Sequence, residues 1–393
     1  MKNWFRALRD FFIPFLPVWA VRALVPKYDF AFVGHPLVLE DLSRQYPNLK
    51  NVSKNVLKII SQNLWPVLGS EIRGFYDRTG KEIKGIVLFC PMSTRIMVLH
   101  QKKAVRKLLK IVKMAEALGV KIIGLGAFVP IVTYDGKLLA KDCKVSMTTG
   151  TSFSAVIAFN NALRLAERCG LDMSSSTVAI VGAGGSVGSI CSRLFFDHVR
   201  RLILIDRKLD RIGYLLKGDY FTGVQGIDKK ISFFDKLAPL KEADLVIVTT
   251  NTPGTVIHAD HLPVGCLVVD AAQPRNVSAK VPYLRKDVAI VESGVARVKG
   301  LNTHFEFDLH GSDEVYSCLA EVLILQWLGM DGKQVGKFSI PYVLKLKETA
   351  EKVGIHLPPF RNRSGELTNQ YLDDISEIIR SKRRKLFARP VSL

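Results

Sequence analysis

Short apolar runs alternate with helical stretches through the middle of this chain. From Thr177 to about Gly300 the runs are TVAIVGAG, RLILID, ADLVIVTT, CLVVDAA and VAIVES. Runs of this length, rich in β-branched residues and separated by helix or loop, predict the strands of a parallel, doubly wound sheet. The pattern therefore predicts an α/β domain of the Rossmann type at residues 151–300.

The rest of the chain divides into four further segments. Residues 30–150 mix strand and helix patterns and predict an N-terminal α/β domain for the substrate. Residues 301–360 form a mainly helical segment. Residues 1–29 are an apolar and basic extension, and residues 361–393 end in a basic tail that we expect to be a flexible arm.

A glycine-rich turn follows the first strand of the Rossmann-type domain. The stretch TVAIVGAGGSVGSICSRLF has a β-branched strand, glycines spaced G-x-G-G-x-x-G, and then a helix. Glycines at such a turn let the backbone approach a pyrophosphate, whose charge the helix N-terminus stabilises. The motif predicts a dinucleotide site at Gly182, Gly184, Gly185, Ser186, Val187 and Gly188.

Two later stretches bear on which dinucleotide binds. Asp206 closes the second strand, where an acid usually holds the ribose 2′-hydroxyl of NAD. Arg207 follows it, and a cation there can hold the 2′-phosphate of NADP instead. Thr249 and Thr250 follow the strand ADLVIV, at the sheet edge where ligands of open α/β folds bind. We predict cofactor contacts for all four residues, and the residues leave NADPH and NADH both open.

Charge changes this picture more than composition does. The 393 residues carry a formal net charge of +20, which suits an acidic partner such as nucleic acid, an anionic membrane or an acidic carrier protein. The helix predicted at QKKAVRKLLKIVKMAEALG has no acid before Glu116. Its polar face carries Lys102, Lys103, Arg106, Lys107, Lys110 and Lys113. Such a face is usually only solvated, but this imbalance favours a docking surface.

The N-terminal extension has an apolar run from Phe11 to Ala20 that is too short and too rich in proline to span a membrane. Two interpretations stay open. In one, the segment is an arm packed on the protein itself. In the other, it lies in an anionic membrane surface, with Trp4, Phe5, Phe11, Phe12 and Trp19 in the headgroup layer and Lys2, Arg6 and Arg9 near the lipid phosphates.

The cysteines and histidines give few candidates for metal binding. The six cysteines are widely spaced without a CxxC pair, which predicts neither a disulfide framework nor a metal site and favours a reducing, cytoplasmic location. His258 and His261 near Pro263 are typical surface residues. His35 and His304 could act as acids, although core or surface roles fit them better.

Cys318 is the remaining candidate nucleophile. The stretch GSDEVYSCLAEVLILQWLG predicts a helix capped by Ser312, which puts Cys318 at about the sixth position, where the helix dipole has largely faded. Glu314 and Glu321 would then flank it at i−4 and i+3 and oppose a thiolate. On these grounds alone Cys318 is a core cysteine.

An ordered series of motifs changes that interpretation. FAFVGHP, TGKEIKG, LGAF and TTGTSFSA precede the glycine turn, and a D-x-x-x-P-R-N stretch at Asp270–Asn276 and YSCLAEVLILQWLG follow it. In this order, over about residues 30–360, the chain resembles the long-chain acyl-[acyl-carrier-protein] reductases best known from cyanobacteria, which make fatty aldehydes.

The resemblance implies an NADPH-dependent enzyme in which a cysteine takes the acyl group from its thioester and hydride then releases an aldehyde. The family's cysteine falls on Cys318, and its glycine turn falls on Gly182, Gly185 and Gly188. Asp206 departs from an NADPH site, whereas Arg207 suits one. The implied partners are acyl-carrier protein or acyl-CoA, with no nucleic acid expected; an anionic membrane surface remains a further candidate.

Two other functions stay open. A relative of glutamyl-tRNA reductase or of the shikimate dehydrogenase group would share the two-domain nucleotide-binding arrangement, and a basic surface would also fit RNA. The position of Cys318 after the nucleotide domain counts against glutamyl-tRNA reductase. A non-catalytic nucleotide-binding scaffold at a membrane would keep the glycine turn and have a silent Cys318.

Overall fold

A computed structural model describes residues 9–141, 143–252, 254–305, 307–336 and 338–387. They form two compact units. The first contains the described residues of Met1–Phe153, Ala296–Phe338 and Lys345–His356, and the second contains those of Ser154–Val295, Ser339–Leu344 and Leu357–Leu393. Residues 301–360 therefore do not form a unit of their own, and the part that carries Cys318 belongs to the first unit.

The first unit is built on a six-stranded sheet. Five of its strands are β1 (Phe30–Gly34), β2 (Val67–Tyr76), β3 (Glu82–Phe89), β4 (Ile122–Leu125) and β5 (Ser146–Thr148). The spatial order is Lys333–Gln334, β5, β4, β1, β3, β2, and all pairings are parallel except that of β2 with β3. The helices before residue 150 are α1 (Val18–Leu24), α2 (Asp41–Gln45), α3 (Lys54–Asn63), α4 (Thr94–Leu99), α5 (Gln101–Leu118), α6 (Val129–Val132) and α7 (Lys137–Ala140).

The second unit contains a doubly wound sheet whose strands include the five predicted apolar runs and one strand that was not predicted, Ile231–Phe234. Its strands are β6 (Thr177–Val181), β7 (Arg201–Ile205), β8 (Ile231–Phe234), β9 (Leu245–Val248), β10 (Leu267–Asp270) and β11 (Ala289–Glu292). They are parallel and lie in the order β8, β7, β6, β9, β10, β11. This is the Rossmann order, so the predicted fold class is confirmed. The helices in this part of the chain are α8 (Thr151–Arg168), α9 (Ser186–Phe196), α10 (Leu209–Lys217), α11 (Ile227–Lys230) and α12 (Val281–Leu284).

The last hundred residues add short strands and three long helices. The strands are β12 (Val295–Val298), β13 (Glu314–Tyr316), β14 (Lys333–Gln334), β15 (Ile355–His356), β16 (Arg361–Asn362) and β17 (Gly365–Glu366). The helices are α13 (Ser317–Leu328), α14 (Ile340–Lys352) and α15 (Asn369–Phe387). Strand β12 lies between β13 and β15, so the chain just before α13 is held in a sheet.

The two faces of the first sheet carry different helices. Side chains alternate along a strand, so neighbouring residues of β4 point to opposite faces. Ile123 and Leu125 join the apolar cluster that includes Leu108 and Ile111 of α5. A Cβ added at Gly124 would instead lie 2.3 Å from Val322 of α13. Helices α5 and α13 therefore pack on opposite faces.

The prediction of a flexible basic arm at Arg380–Arg389 is wrong up to Phe387, the last described residue, because this stretch continues helix α15. Helix α15 buries Leu372, Ile375 and Ile379 on one face. The hydroxyl of Tyr371 donates to the carbonyl of Val288 at 2.6 Å, and Lys382 Nζ lies 3.2 Å from an Asp244 carboxylate oxygen. The tail carries an apolar stripe at helical spacing, and this stripe supplies the burial that orders it.

The described part of the N-terminal segment packs on the protein itself, and its location in a membrane surface stays a prediction. It packs on the first unit through the buried Ile13 and Val21, and the Trp65 indole N–H donates to the carbonyl of Phe11 at 2.7 Å. The side chains of Phe12 and Trp19 are exposed. The predicted contacts of Lys2, Trp4, Phe5 and Arg6 lie outside the described residues. A search of the described helices finds none with the length and apolar character needed to cross a bilayer.

Candidate active site

Cys318 lies in the first turn of its helix, not at the sixth position. Helix α13 begins at Ser317, after Tyr316, whose φ of −64° and ψ of 144° are extended. The prediction of a start near Ser312 is wrong because Glu314–Tyr316 is a strand, with the Val298 N–H donating to the carbonyl of Asp313 at 2.8 Å. The positive end of the helix dipole therefore acts on the thiol, which the sequence interpretation had excluded.

The backbone N–H groups of Ala127, Leu319 and Cys318 act to lower the pKa of the Cys318 thiol. Leu319 and Cys318 belong to the first turn of α13, where backbone N–H groups have no acceptor within the helix. Ala127, in the LGAF loop after β4, has a φ of +46°, a conformation that costs a non-glycine residue about 1–2 kcal/mol.

His35 fixes the loop that carries Ala127. The Phe128 N–H donates to its Nε2 at 3.0 Å, so Nε2 has no proton and Nδ1–H donates to the carbonyl of Pro36 at 3.0 Å. Burial lowers the pKa of His35 to about 4. The ring is therefore neutral at physiological pH with both nitrogens engaged. Its suggested role as an acid is wrong, and we assign it to positioning the loop; His304 is exposed.

The TTGT turn closes the other side of the thiol. Gly150 has a φ of +69°, and a Cβ there would lie 2.3 Å from both Cα and Cβ of Cys318. Glu321 of α13, fully buried, holds this turn: one oxygen accepts from the Thr148 hydroxyl at 2.5 Å and the other from the Phe153 N–H at 2.7 Å. A carboxylate one turn beyond the cysteine thus holds the turn that precedes α8.

The resting thiol is protonated at neutral pH. Burial raises the pKa of Cys318 to about 11, the charge of Glu321 acts in the same direction, and the three N–H groups oppose both. The residue itself is half-buried, whereas the other five cysteines are buried. The backbone N–H groups therefore stabilise the thiolate in part, but at neutral pH the thiolate remains the minor species.

This pKa predicts the pH dependence of alkylation. Only the thiolate reacts with iodoacetamide, so the rate at Cys318 should rise about tenfold per pH unit from pH 7 and level off near the pKa of about 11. Peptide mass spectrometry after timed quenching separates Cys318 from the buried cysteines. A plateau already reached at pH 8 would contradict the raised pKa.

The glycine turn of the second unit has the shape that a pyrophosphate requires. Helix α9 begins at Ser186 after Gly185, and Val187 and Gly188 complete its first turn. A Cβ at Gly188 would lie 2.2 Å from the Gly182 carbonyl oxygen, and one at Gly184 would lie 2.5 Å from Arg211 Cβ. The turn is thus a cradle that side chains would fill, which fits a dinucleotide.

Asp206 supports this turn from the end of β7. One carboxylate oxygen accepts from the Gly184 N–H at 3.1 Å and the other from the Lys208 N–H at 3.0 Å. Arg207 and Lys208 beside it are exposed. The Asp206 carboxylate therefore helps to hold the glycine turn, and the exposed side chains of Arg207 and Lys208 lie next to it.

Thr249 and Thr250 lie where the strand order reverses, between β6 and β9. The Thr249 hydroxyl donates to the carbonyl of Val181 at 3.0 Å, and the Thr250 hydroxyl hydrogen-bonds to the Asn276 side-chain oxygen. Asn276 Nδ2 also donates to the carbonyls of Thr252 and Gly254, at 2.9 and 2.8 Å. The sequence interpretation gave Asn276 no role, although it ends the D-x-x-x-P-R-N stretch.

Asp270 organises that stretch. Its buried carboxylate accepts from the N–H groups of Ala272, Asn276 and Val277 at 2.9–3.1 Å. Burial raises its pKa. The signal for these residues was an acid that ends a buried strand and precedes a proline turn. Through Asn276, this turn holds the loop after β9. That loop lies at the sheet edge where the cofactor of a doubly wound fold binds.

Comparison with known proteins agrees with this geometry. Residues 164–293 match the family described as shikimate / quinate 5-dehydrogenase, and that span holds β6 to β11 with the glycine turn. The chain is related to NAD(P)H-dependent oxidoreductases. This confirms the prediction of a nicotinamide dinucleotide cofactor, NADPH with NADH as the alternative.

Three relatives match this chain over more residues than the second unit contains. Aminotransferase PigE from Serratia sp. is 21% identical over 361 residues, which are 87% of this chain and 41% of that protein. Long-chain acyl-[acyl-carrier-protein] reductase from Synechococcus elongatus is 27% identical over 271 residues, 64% and 75% of the two chains. Glutamyl-tRNA reductase from Caldicellulosiruptor saccharolyticus is 25% identical over 225 residues, 53% of each. The chain spans about half or less of the first and third relatives, and the substrate stays a prediction.

The cofactor site at the glycine turn can be tested by a substitution that adds a side chain there. Gly188→Ala should raise the Kd for NADPH by about a hundredfold, because its Cβ would meet the Gly182 oxygen and would also lie 2.8 Å from Thr249 Oγ1. Fluorescence titration of NADPH measures the change. Gly213→Ala is the matched control, since nothing lies within 4 Å of its Cβ. Equal Kd values for the two variants would contradict the assignment.

Proposed function

We propose that the protein reduces a long-chain acyl thioester, carried by acyl-carrier protein or coenzyme A, to a fatty aldehyde. The observation that carries the proposal is the placement of Cys318 in the first turn of α13, where the helix dipole and the nearby backbone N–H groups act to lower the thiol pKa. A half-buried thiol in such surroundings is suited to covalent catalysis, whereas a packing residue needs no donors. The similarity to the Synechococcus elongatus reductase supports the substrate class.

The Cys318 residue performs the first half of the reaction. Its sulfur attacks the thioester carbonyl, a new C–S bond forms, and the carrier thiol leaves with the proton that Cys318 loses. The N–H groups of Ala127, Cys318 and Leu319 stabilise the sulfur anion at this step. The covalent bond also fixes a mobile acyl chain, which makes the next step intramolecular.

NADPH, when bound, supplies the hydride that reduces the acyl carbon. The glycine turn would hold its pyrophosphate, and Arg207 or Lys208 would hold the 2′-phosphate, which favours NADPH over NADH. After reduction, the C–S bond to Cys318 breaks, the aldehyde leaves, and the sulfur recovers a proton. The same three N–H groups stabilise the sulfur as a leaving group.

The carrier does not fit the helix that the sequence suggested for docking. Helix α5 packs on the sheet face opposite α13, so a carrier bound there would be on the wrong side of the sheet for Cys318. Lys107 is buried and donates to the carbonyls of Ser61 and Leu64, at 3.2 and 2.5 Å. The sequence-based docking surface is therefore not part of the proposed function.

Glutamyl-tRNA reduction is the second candidate, because that enzyme is also similar to this chain. Cys318 follows the nucleotide domain in sequence, but it belongs to the first unit together with the N-terminal residues. Its position in the chain is therefore no longer an argument against this alternative. The resemblance in motif order favours the acyl substrate.

The two candidates are separated by substrate. Purified protein is incubated with NADPH and either a hexadecanoyl thioester or glutamyl-tRNA, and the aldehyde product is trapped with a hydrazine and identified by mass. We expect aldehyde only from the acyl thioester, with one NADPH consumed per product. Aldehyde from glutamyl-tRNA alone would replace the proposal by its alternative, and none from either would refute both.

A further inference from the structure

An open cavity lies on the α5 side of the first sheet. Its volume is about 780 Å³, which is in the range of small-molecule sites. Its walls are mainly apolar side chains from the N-terminal segment and α5, among them Ile13, Leu16, Val21, Leu109 and Met114. Because α13 packs on the opposite face, this cavity is separate from the Cys318 site.

Five cations surround the cavity: Arg106, Lys110, Lys113, Lys141 and Lys144. Lys113 pairs with Glu116 at 3.1 Å. The other four have exposed side chains, and within the described part of the chain none of them has a carboxylate ion-pair partner. Like charges gathered without compensation are relieved by a bound anion, so the rim is electrostatically suited to phosphate or carboxylate groups.

Large apolar side chains are exposed next to this basic rim. Phe15, Val18 and Trp19 are 58%, 50% and 75% exposed, and Phe15 and Val18 line the cavity itself. The backbone beneath them is fixed, because Arg22 Nε donates to the carbonyl of Ala117 on α5 at 3.2 Å. An exposed apolar patch bordered by cations is typical of a surface that meets lipid.

We propose that this face docks on an anionic phospholipid bilayer. Phe15, Val18 and Trp19 enter the headgroup layer, the four exposed cations bind lipid phosphates, and the cavity accepts the acyl chain of one lipid. An acidic protein would satisfy the cations but would leave the apolar cavity and the exposed Trp19 unexplained. The surface does not depend on the chemistry at Cys318.

Vesicle binding of the full chain tests the proposal. We expect co-sedimentation with vesicles of equal phosphatidylcholine and phosphatidylglycerol, little with phosphatidylcholine alone, and weakening in high salt. The double variant Lys110→Glu/Lys144→Glu should bind the anionic vesicles about tenfold or more weakly. Trp19→Ala should weaken binding several-fold without changing its salt dependence.

Matched variants on the second unit separate position from net charge. Lys236→Glu/Lys241→Glu changes the charge by the same amount at exposed residues away from the cavity, and Tyr214→Ala removes an aromatic ring that is 76% exposed. Both should bind vesicles as the wild type does. If the Lys236/Lys241 pair weakens binding as much as the Lys110/Lys144 pair, the protein binds by overall charge and the proposed surface is refuted.

A water-soluble, short-chain phosphatidylglycerol distinguishes a bilayer from a free ligand. We expect it to bind much more weakly than vesicles, because it offers neither a headgroup layer nor a long chain. Equal affinity for the monomeric lipid would replace the docking surface by a headgroup pocket. Failure of the wild type to bind anionic vesicles would overturn the proposal, whatever the result of the aldehyde assay.

Discussion

Cys318→Ser should lower aldehyde formation by at least about a thousandfold while leaving the Kd for NADPH unchanged. Loss of an attacking nucleophile removes the whole covalent route, and such losses are among the largest single-residue effects in enzymes. Serine is nearly the same size, so the fold should survive at this half-buried position. The measurement is hexadecanal formed per unit time, with intact-protein mass recorded before NADPH is added.

The covalent intermediate gives this prediction a second observable. Without NADPH, the wild type should gain the mass of one acyl group, and hydroxylamine should remove it because the bond is a thioester. The matched control is Cys143→Ala, which removes a buried cysteine of the same unit. This variant protein should still gain the acyl group. A serine variant that keeps more than about a tenth of the wild-type rate would exclude Cys318 as the nucleophile.

Gly150→Ala should reduce turnover by about a hundredfold and destabilise the first unit by roughly 3 kcal/mol. The new Cβ would lie 2.3 Å from Cα and Cβ of Cys318, on a residue whose φ of +69° already disfavours a side chain. Either the turn or the start of α13 must move, and the position of the sulfur relative to the Ala127 loop then changes. Both the initial rate and the free energy of unfolding should be measured.

Gly119→Ala separates strain from contact. Gly119 has nearly the same φ, +71°, but nothing lies within 4 Å of its added Cβ. It should cost only the conformational part, about 1 kcal/mol, and leave iodoacetamide reactivity at Cys318 as it is. If the two variants lose equal activity, the loss in Gly150→Ala comes from backbone strain. That result would contradict the prediction that packing of Gly150 against Cys318 controls turnover.

The surroundings of Cys318 come from parts of the chain that are far apart in sequence. His35 holds the loop that carries Ala127, whose N–H acts to lower the thiol pKa, and Glu321 holds the turn on the other side. The sequence interpretation looked for activation in the neighbours of Cys318 along its helix and found only opposing acids. One of those, Glu321, does raise the thiol pKa, but it also positions the turn against which the thiol packs.

Five strands and the glycine turn of the second unit follow from local sequence patterns. Buried parallel strands need continuous apolar residues, and a turn that approaches a pyrophosphate needs glycine, so these patterns were sufficient for β6, β7, β9, β10 and β11 and for Gly182 to Gly188, whereas the edge strand β8 was not predicted. These features depend on contacts between residues close in the chain or on composition alone. For that reason they could be predicted without knowing any neighbour.

Contacts between distant residues set where α13 starts, which side of the sheet faces the basic helix, and which lysine of that helix is buried. Ser312 could cap a helix, but Glu314–Tyr316 pair with β12 instead, and that pairing moves Cys318 into the first turn. Lys107 is indistinguishable in sequence from Lys110, yet it donates to the carbonyls of Ser61, in the last turn of α3, and of Leu64. Strand pairing and burial join distant residues, and no local pattern records them; the thiol's surroundings are therefore a property of the fold rather than of its own helix.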